Sequence, residues 1–211
     1  MALRPYVVRP GDYLLKISVN LGFDADAVWG LAENKPLRDL GRDPNILCPG
    51  DVLYVPGDPP PPLSLQTGSL NMFNAPNAPV KVQVRFTERG KPLVNEPYLV
   101  EGADVPPGSL DGDGNFQADI VTSVEQLIVR FPNRYEAYTV TVGQLDPITE
   151  RSGVIQRLAH LGYLPAGVAP TTVDDDTLDV ALRTIQRFAQ IEETGIVDDA
   201  TRQELLRRHG S

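Results

Sequence analysis

The run Asp58-Pro59-Pro60-Pro61-Pro62 constrains this chain most. Consecutive prolines lock φ and remove backbone N–H donors, so neither a helix nor a strand ladder can pass through them. Such a run is a stiff, extended spacer and marks a fold boundary. The apolar period changes across it. Before the run, Leu14, Ile17, Ser18 and Leu21 recur at helical spacing. Beyond it, Val80, Val82, Val84 and Phe86 alternate with Lys81, Gln83 and Arg85, the pattern of a half-buried strand. From Val154 the helical period returns with Leu158 and Leu161. A chain of 211 residues holds one or two domains, or three small ones. The periods argue for three: residues 1–57, a linker over 58–68, then 69–142 and 143–211. The expected fold class is multidomain α+β.

Charge narrows the partners. A formal net charge of −9 disfavours nucleic acid and anionic membrane surfaces, which need a positive footprint, but leaves neutral sugar chains open. The single cysteine, Cys48, excludes an intrachain disulfide and permits a reducing compartment without demanding one. No apolar run reaches the length of a membrane-spanning helix. The opening Met-Ala-Leu-Arg-Pro-Tyr lacks the apolar core of a signal peptide. The expectation is a protein that folds in the cytoplasm, or reaches a periplasm or target cell through a secretion machine.

The first segment opens with Tyr-Val-Val-Arg-Pro-Gly-Asp, residues 6–12, and closes with Leu-Cys-Pro-Gly-Asp-Val-Leu-Tyr-Val-Pro, residues 47–56. Each end joins a β-prone run to a Pro-Gly-Asp turn, and two such strands can pair antiparallel around a helical middle. Asp12 is placed to cap the first helix and Gly22 to stop it. Asp24 begins a second helix with Ala27, Val28, Leu31 and Ala32 inward, and the segment Lys35 to Arg42 adds one more helical turn. This β-α-α-β pattern resembles a LysM domain, a module that binds N-acetylglucosamine glycans such as peptidoglycan. The resemblance implies a shallow groove with Gly11, Asp12, Tyr13 and Leu14 on one side and Pro44, Asn45, Ile46 and Leu47 on the other. Tyr13 stands where the family usually has Thr or Ser, and the segment from Lys35 to Arg42 is longer than usual. A module retained for packing or protein docking is the other reading. Trp29, on the second helix, reads as a packing residue more readily than as a sugar platform.

In the middle segment, Phe116, Ala118 and Ile120, then Leu127, Val129 and Phe131, then Tyr138, Val140 and Val142 repeat the two-residue period. Turns are expected at Glu88-Arg89-Gly90-Lys91 and Asn133-Arg134. The spacing argues for a small antiparallel β-sandwich. Gly90-Lys91-Pro92-Leu93, Pro97-Tyr98-Leu99-Val100 and Asp111-Gly112-Asp113-Gly114-Asn115-Phe116 resemble the transthyretin-like and carboxypeptidase-regulatory-like sandwiches. Asp111, Asp113 and Asn115 alternate like the first ligands of a calcium loop, but Thr122 stands where a bidentate Glu is required. A structural turn is the expectation, and no metal is assigned.

In the last segment, Asp174-Asp175-Asp176-Thr177 and Asp198-Asp199-Ala200-Thr201 are helix N-terminal signatures. Leu178, Ala181, Leu182, Ile185 and Phe188 form the apolar stripe of the helix between them, and three short helices make a bundle. Residues 155–163 (Ile-Gln-Arg-Leu-Ala-His-Leu-Gly-Tyr), 181–188 (Ala-Leu-Arg-Thr-Ile-Gln-Arg-Phe) and 194–202 (Thr-Gly-Ile-Val-Asp-Asp-Ala-Thr-Arg) resemble the peptidoglycan-binding domain of bacterial wall hydrolases. Residues 170–174 depart from that family's usual glycine turn. The resemblance implies Gly162, Tyr163, Gln186 and Asp198 as candidate contacts; the alternative is that they form turns and seams.

Catalysis is not expected. The two histidines, His160 and His209, and Cys48 do not supply a zinc site, and Cys48 has no histidine near it in sequence. No serine sits in a nucleophile elbow. No cofactor is implied. Two functions remain: non-catalytic binding of peptidoglycan or a chitin-like glycan, and docking as an adaptor on the spike, tube or effector of a secretion machine. The order of the three segments resembles proteins associated with type VI secretion spikes, a kind of contractile injection system.

Overall fold

The computed structural model describes residues 2–58, 64, 66–71, 78–88 and 90–210. The spacer prolines 59–62 and Arg89 of the expected turn lie outside the described residues. The chain divides into two compact units, Met1–Gln144 and Leu145–Ser211. Both helices and sheets are present, as an α+β chain requires. Among the described residues no helix is long and apolar enough to cross a membrane.

The first unit opens with strand β1 (Leu3–Val7), helices α1 (Leu14–Leu21), α2 (Ala25–Trp29) and α3 (Lys35–Asp39), and strand β2 (Val52–Pro56). β1 and β2 pair antiparallel from Leu3↔Pro56 to Val7↔Val52. Val8, Leu14, Ile17, Val28, Leu37, Leu47, Leu53 and Val55 form one buried core. Gly22 ends α1 in the left-handed conformation, φ +74°, where its N–H reaches the Ser18 carbonyl. Two expectations need correction. Asp12 does not cap α1: the N-cap is Tyr13, which makes no side-chain cap bond. The Asp12 carboxylate is already engaged, accepting from the Tyr6 hydroxyl at 2.7 Å and the Arg9 N–H at 3.0 Å. Of the residues expected inward on α2, only Val28 is fully buried, while Ala27 and Ala32 are exposed. The helix ends at Trp29, so the period cannot carry past it.

Strands β3 (Pro79–Arg85), β4 (Thr87–Glu88), β5 (Lys91–Pro92), β6 (Pro97–Glu101), β7 (Gly108–Ser109), β8 (Asn115–Val121), β9 (Gln126–Phe131) and β10 (Glu136–Thr141) follow. They make a β10-β9-β6-β7 sheet and the pairs β3-β8 and β4-β5, all antiparallel. Alternate residues of β3, β8 and β9 meet in one core around Phe116, Val129 and Phe131, all at 0 % exposure. Lys16 of α1 pairs with Glu125 at 3.1 Å. A methyl group on Gly143 would fall 2.8 Å from Cδ1 of Tyr13. The helical part and the β-part therefore touch within this unit.

The second unit holds α4 (Arg151–His160), α5 (Asp175–Ala189) and α6 (Asp199–His209), with a 3₁₀ turn at Pro170–Thr172. Asp174 and Asp198 cap α5 and α6 by accepting from the N–H groups of Thr177 and Thr201. Ile155, Leu158, Leu182, Ile185 and Leu205 centre the core. Phe188 departs from the expected stripe and is 69 % exposed. At about 100° per residue it lies roughly 70° off the centre of the buried face, and Ala189 falls closer to that centre.

Candidate functional site

In the first unit the two loops expected to frame a groove do meet. The Leu14 N–H donates to the Pro44 carbonyl at 2.8 Å. Asn45 and Ile46 are shaped by Asp43, whose carboxylate accepts from the Asn45 N–H at 2.7 Å and whose carbonyl accepts from the Ile46 N–H at 2.9 Å. Tyr13, Leu14 and Leu47 are buried. Gly11, Asp12, Pro44 and Ile46 keep partial exposure and Asn45 is exposed. The Tyr13 hydroxyl is buried with no hydrogen-bond partner among the described residues. Burial raises its pKa.

Asp111 has turn chemistry. Its carboxylate accepts from the N–H groups of Asp113 at 2.9 Å and Asn115 at 2.8 Å, and from the Asn115 amide at 3.0 Å. These bonds, those of Asn115 foremost, lower its pKa. Among the described residues no three His, Cys, Asp or Glu side chains come together as a metal-holding group.

In the second unit, Gln186 is fully buried and its amide is committed internally. Nε2 donates to Thr194 Oγ1, the Ile196 carbonyl and Thr201 Oγ1, and Oε1 accepts from the Gly195 N–H. Asp198 accepts from the N–H and hydroxyl of Thr201 and from the Thr194 hydroxyl, bonds that lower its pKa, with Thr201 the largest cause. Both residues build the loop before α6. Gly162 and Tyr163 follow the C-terminal end of α4. The Tyr163 hydroxyl lies 3.4 Å from Arg208 Nη1, and its ring centroid 6.4 Å from that of the exposed Phe188. The four candidates therefore do not form one site.

A cleft that the sequence patterns did not point to lies elsewhere in this unit. It is a depression of about 380 Å³, open to solvent, between the start of α4, the first turns of α5 and the Gly195-Ile196-Val197 loop. Its aliphatic floor includes Val154, Leu178 and Leu182, and Arg151, Asp175 and Arg202 stand at its edge. The helical period marked Leu178 and Leu182 as core, and they are; that the same side chains also floor an opening depends on how three elements diverge.

The Gln186 brace positions one wall. By holding Gly195 and Ile196 through backbone groups, it fixes the loop that faces α5. Residues 154–205 match the model of the family described as "Putative peptidoglycan binding domain". No curated protein and no solved structure matches the chain. The matched stretch contains most of the cleft, from Val154 to Arg202, and leaves out Arg208 and His209.

Proposed function

We propose that this protein is a non-catalytic binder of peptidoglycan whose C-terminal unit makes the principal contact. The match over residues 154–205 carries this reading, because the cleft falls largely within it. The matched family is described by binding and not by catalysis. The first unit supports the same reading. Its β1-α1-α2-β2 core, with α3 inserted, follows the order that a LysM resemblance implies, and Gly11, Asp12, Pro44, Asn45 and Ile46 keep surface where such a module takes an N-acetylated sugar. The strands of residues 79–141 share one core, which supports a small β-sandwich between two binding modules. Two weak sites on one chain raise avidity by orders of magnitude when the spacing fits.

One observation favours a second reading. The burial of Tyr13, Leu14 and Leu47 narrows the first groove, while Val7, Val52 and Tyr54 share the outward face of β1 and β2 at 57 %, 43 % and 37 % exposure. Such a surface suits docking on a protein, for which the spike or tube of a type VI secretion machine is the candidate.

Co-sedimentation of the full-length protein with insoluble peptidoglycan separates the two. Retention is expected, reduced by Asn45→Ala with Ile46→Asp and reduced further by Ile196→Asp. Failure to sediment, with co-purification of a spike or tube protein, overturns the wall-binding reading. In zymography no muropeptides are expected. Release that is abolished by a single substitution would sink the non-catalytic assignment.

A further inference from the structure

Resting on the wall-binding reading, we infer that the C-terminal cleft takes the short peptides of peptidoglycan and not its glycan strand. The polymer offers two chemistries. Its sugars are flat, hydroxyl-rich rings that proteins grip with aromatic faces and dense arrays of polar donors. Its peptides are short, carry small or aliphatic side chains, and present both free carboxylates and free amines. Among the described residues no aromatic lines the cleft. Ile196 and the edge of Leu178 offer aliphatic surface instead, over the buried Val154 and Leu182, with cations and anions at the rim.

The ion pairs at the rim are built to exchange partners. Arg151 meets Asp175 at 2.8 Å, and Arg202 meets Asp199 at 3.0 Å. The side chains of Asp175 and Asp199 are 96 % and 94 % exposed, so water screens both pairs and either can open at little cost. The Nε–H of Arg202 is buried and meets no acceptor among the described residues. That buried Nε–H is out of a ligand's reach, but opening the pair with Asp199 frees the outer end of the guanidinium, which can donate two parallel bonds to a carboxylate. When a ligand carboxylate takes Arg151, Asp175 is released beside it and can hold the ligand's ammonium. Adjacent opposite charges beside aliphatic surface fit a peptide that carries an amine and a carboxylate close together. A neutral sugar would leave both pairs unused.

Three materials test this with the full-length protein: intact peptidoglycan, glycan strands stripped of peptide by an amidase with the lactyl carboxylates so exposed then amidated to keep the strands neutral, and the released soluble peptides. Sedimentation with intact wall, loss of it on stripped strands, and competition by the soluble peptides are expected. Binding should also weaken as salt rises, as exposed charge pairs require. Arg202→Ala should weaken binding about tenfold or more, the loss of one charge-assisted contact. Ile196→Asp, at a position 62 % exposed, tests the aliphatic wall without touching the core. Equal binding to stripped and intact strands overturns the peptide assignment and leaves wall binding standing. Binding to soluble peptide without binding to wall supports the cleft chemistry and removes the wall reading. Binding to neither overturns both.

Discussion

Asn34 is fully buried, and its amide makes three bonds across the first core. Nδ2 donates to the carbonyls of Val28 and Tyr54, and Oδ1 accepts from the Tyr54 N–H. One side chain thereby ties the end of α2 to β2. Asn34→Ala leaves the N–H and carbonyl of Tyr54 without these partners, while the Val28 carbonyl keeps the Leu31 N–H, and is expected to cost about 2–4 kcal/mol, read from the urea midpoint of the first unit. Gly153 is a second point of this kind. A methyl group there would fall 2.1 Å from the Pro147 carbonyl oxygen. The start of α4 rests directly on the preceding chain, and buried Arg157 joins the two by donating to the carbonyls of Asp146 and Gly153, each at 2.8 Å. Gly153→Ala is expected to destabilise the second unit by about 1–3 kcal/mol, measured by thermal denaturation, because the crowding is against backbone that cannot turn aside.

Among the helices, capping separates residues that look alike in sequence. Asp24, Asp174 and Asp198 each accept from the N–H three positions on. Asp12, in the same pattern, is diverted by the Tyr6 hydroxyl. The ends of α4 and α6 meet through His160 Nδ1 and His209 Nε2, 2.9 Å apart. Desolvation by the packed end of α6 and the charge of Arg157 hold the pKa of His160, a residue at the surface, below its ordinary value. Between the folded and unfolded values the unfolded chain binds a proton that the folded chain does not. Stability is therefore intact above pH about 6.5 and falls as pH drops below it. The urea midpoint of the second unit should decrease between about pH 7.5 and about pH 5.5, and His160→Gln should flatten that slope. Glu204 acts in a different window. Arg207 and Arg208 hold its pKa down to about 2, so its contribution is present above about 4.5 and is lost only as pH falls from there toward 2.

At the scale of the molecule, the contacts of Tyr13 with Gly143 and of Lys16 with Glu125 join the helical and β-parts of the first unit. A fragment of residues 1–57 gives up both and uncovers the Tyr13 ring. It is expected to fold but to melt below the same region within residues 1–144, as calorimetry of the two fragments would show. Equal melting would mean that the contacts contribute nothing to stability. Gln66, Thr67, Gly68, Ser69 and Leu70 are exposed, so limited proteolysis of the full chain should cut first between Asp58 and Ser69.

Much of this architecture was legible in the residues alone, because local rules act over few positions. The two-residue period placed β3, β8 and β9, and the helical period placed α1 and α5. The Asp-Asp signatures placed the caps of α5 and α6, and the Asp111 turn was read as a turn because the twelfth position lacks a carboxylate. The matched family, too, was visible in three short stretches of the last segment. Tertiary structure decided what those rules do not reach. Whether a polar side chain meets solvent or its own backbone depends on neighbours distant in sequence, and so Gln186 and Asp198 became braces, Asp12 joined Tyr6, and Phe188 turned outward. The cleft is the clearest case. Val154, Leu178 and Ile196 lie on three elements, and the opening between them exists only once those elements are packed, because a cavity is a property of the space between elements that no one stretch of sequence encodes.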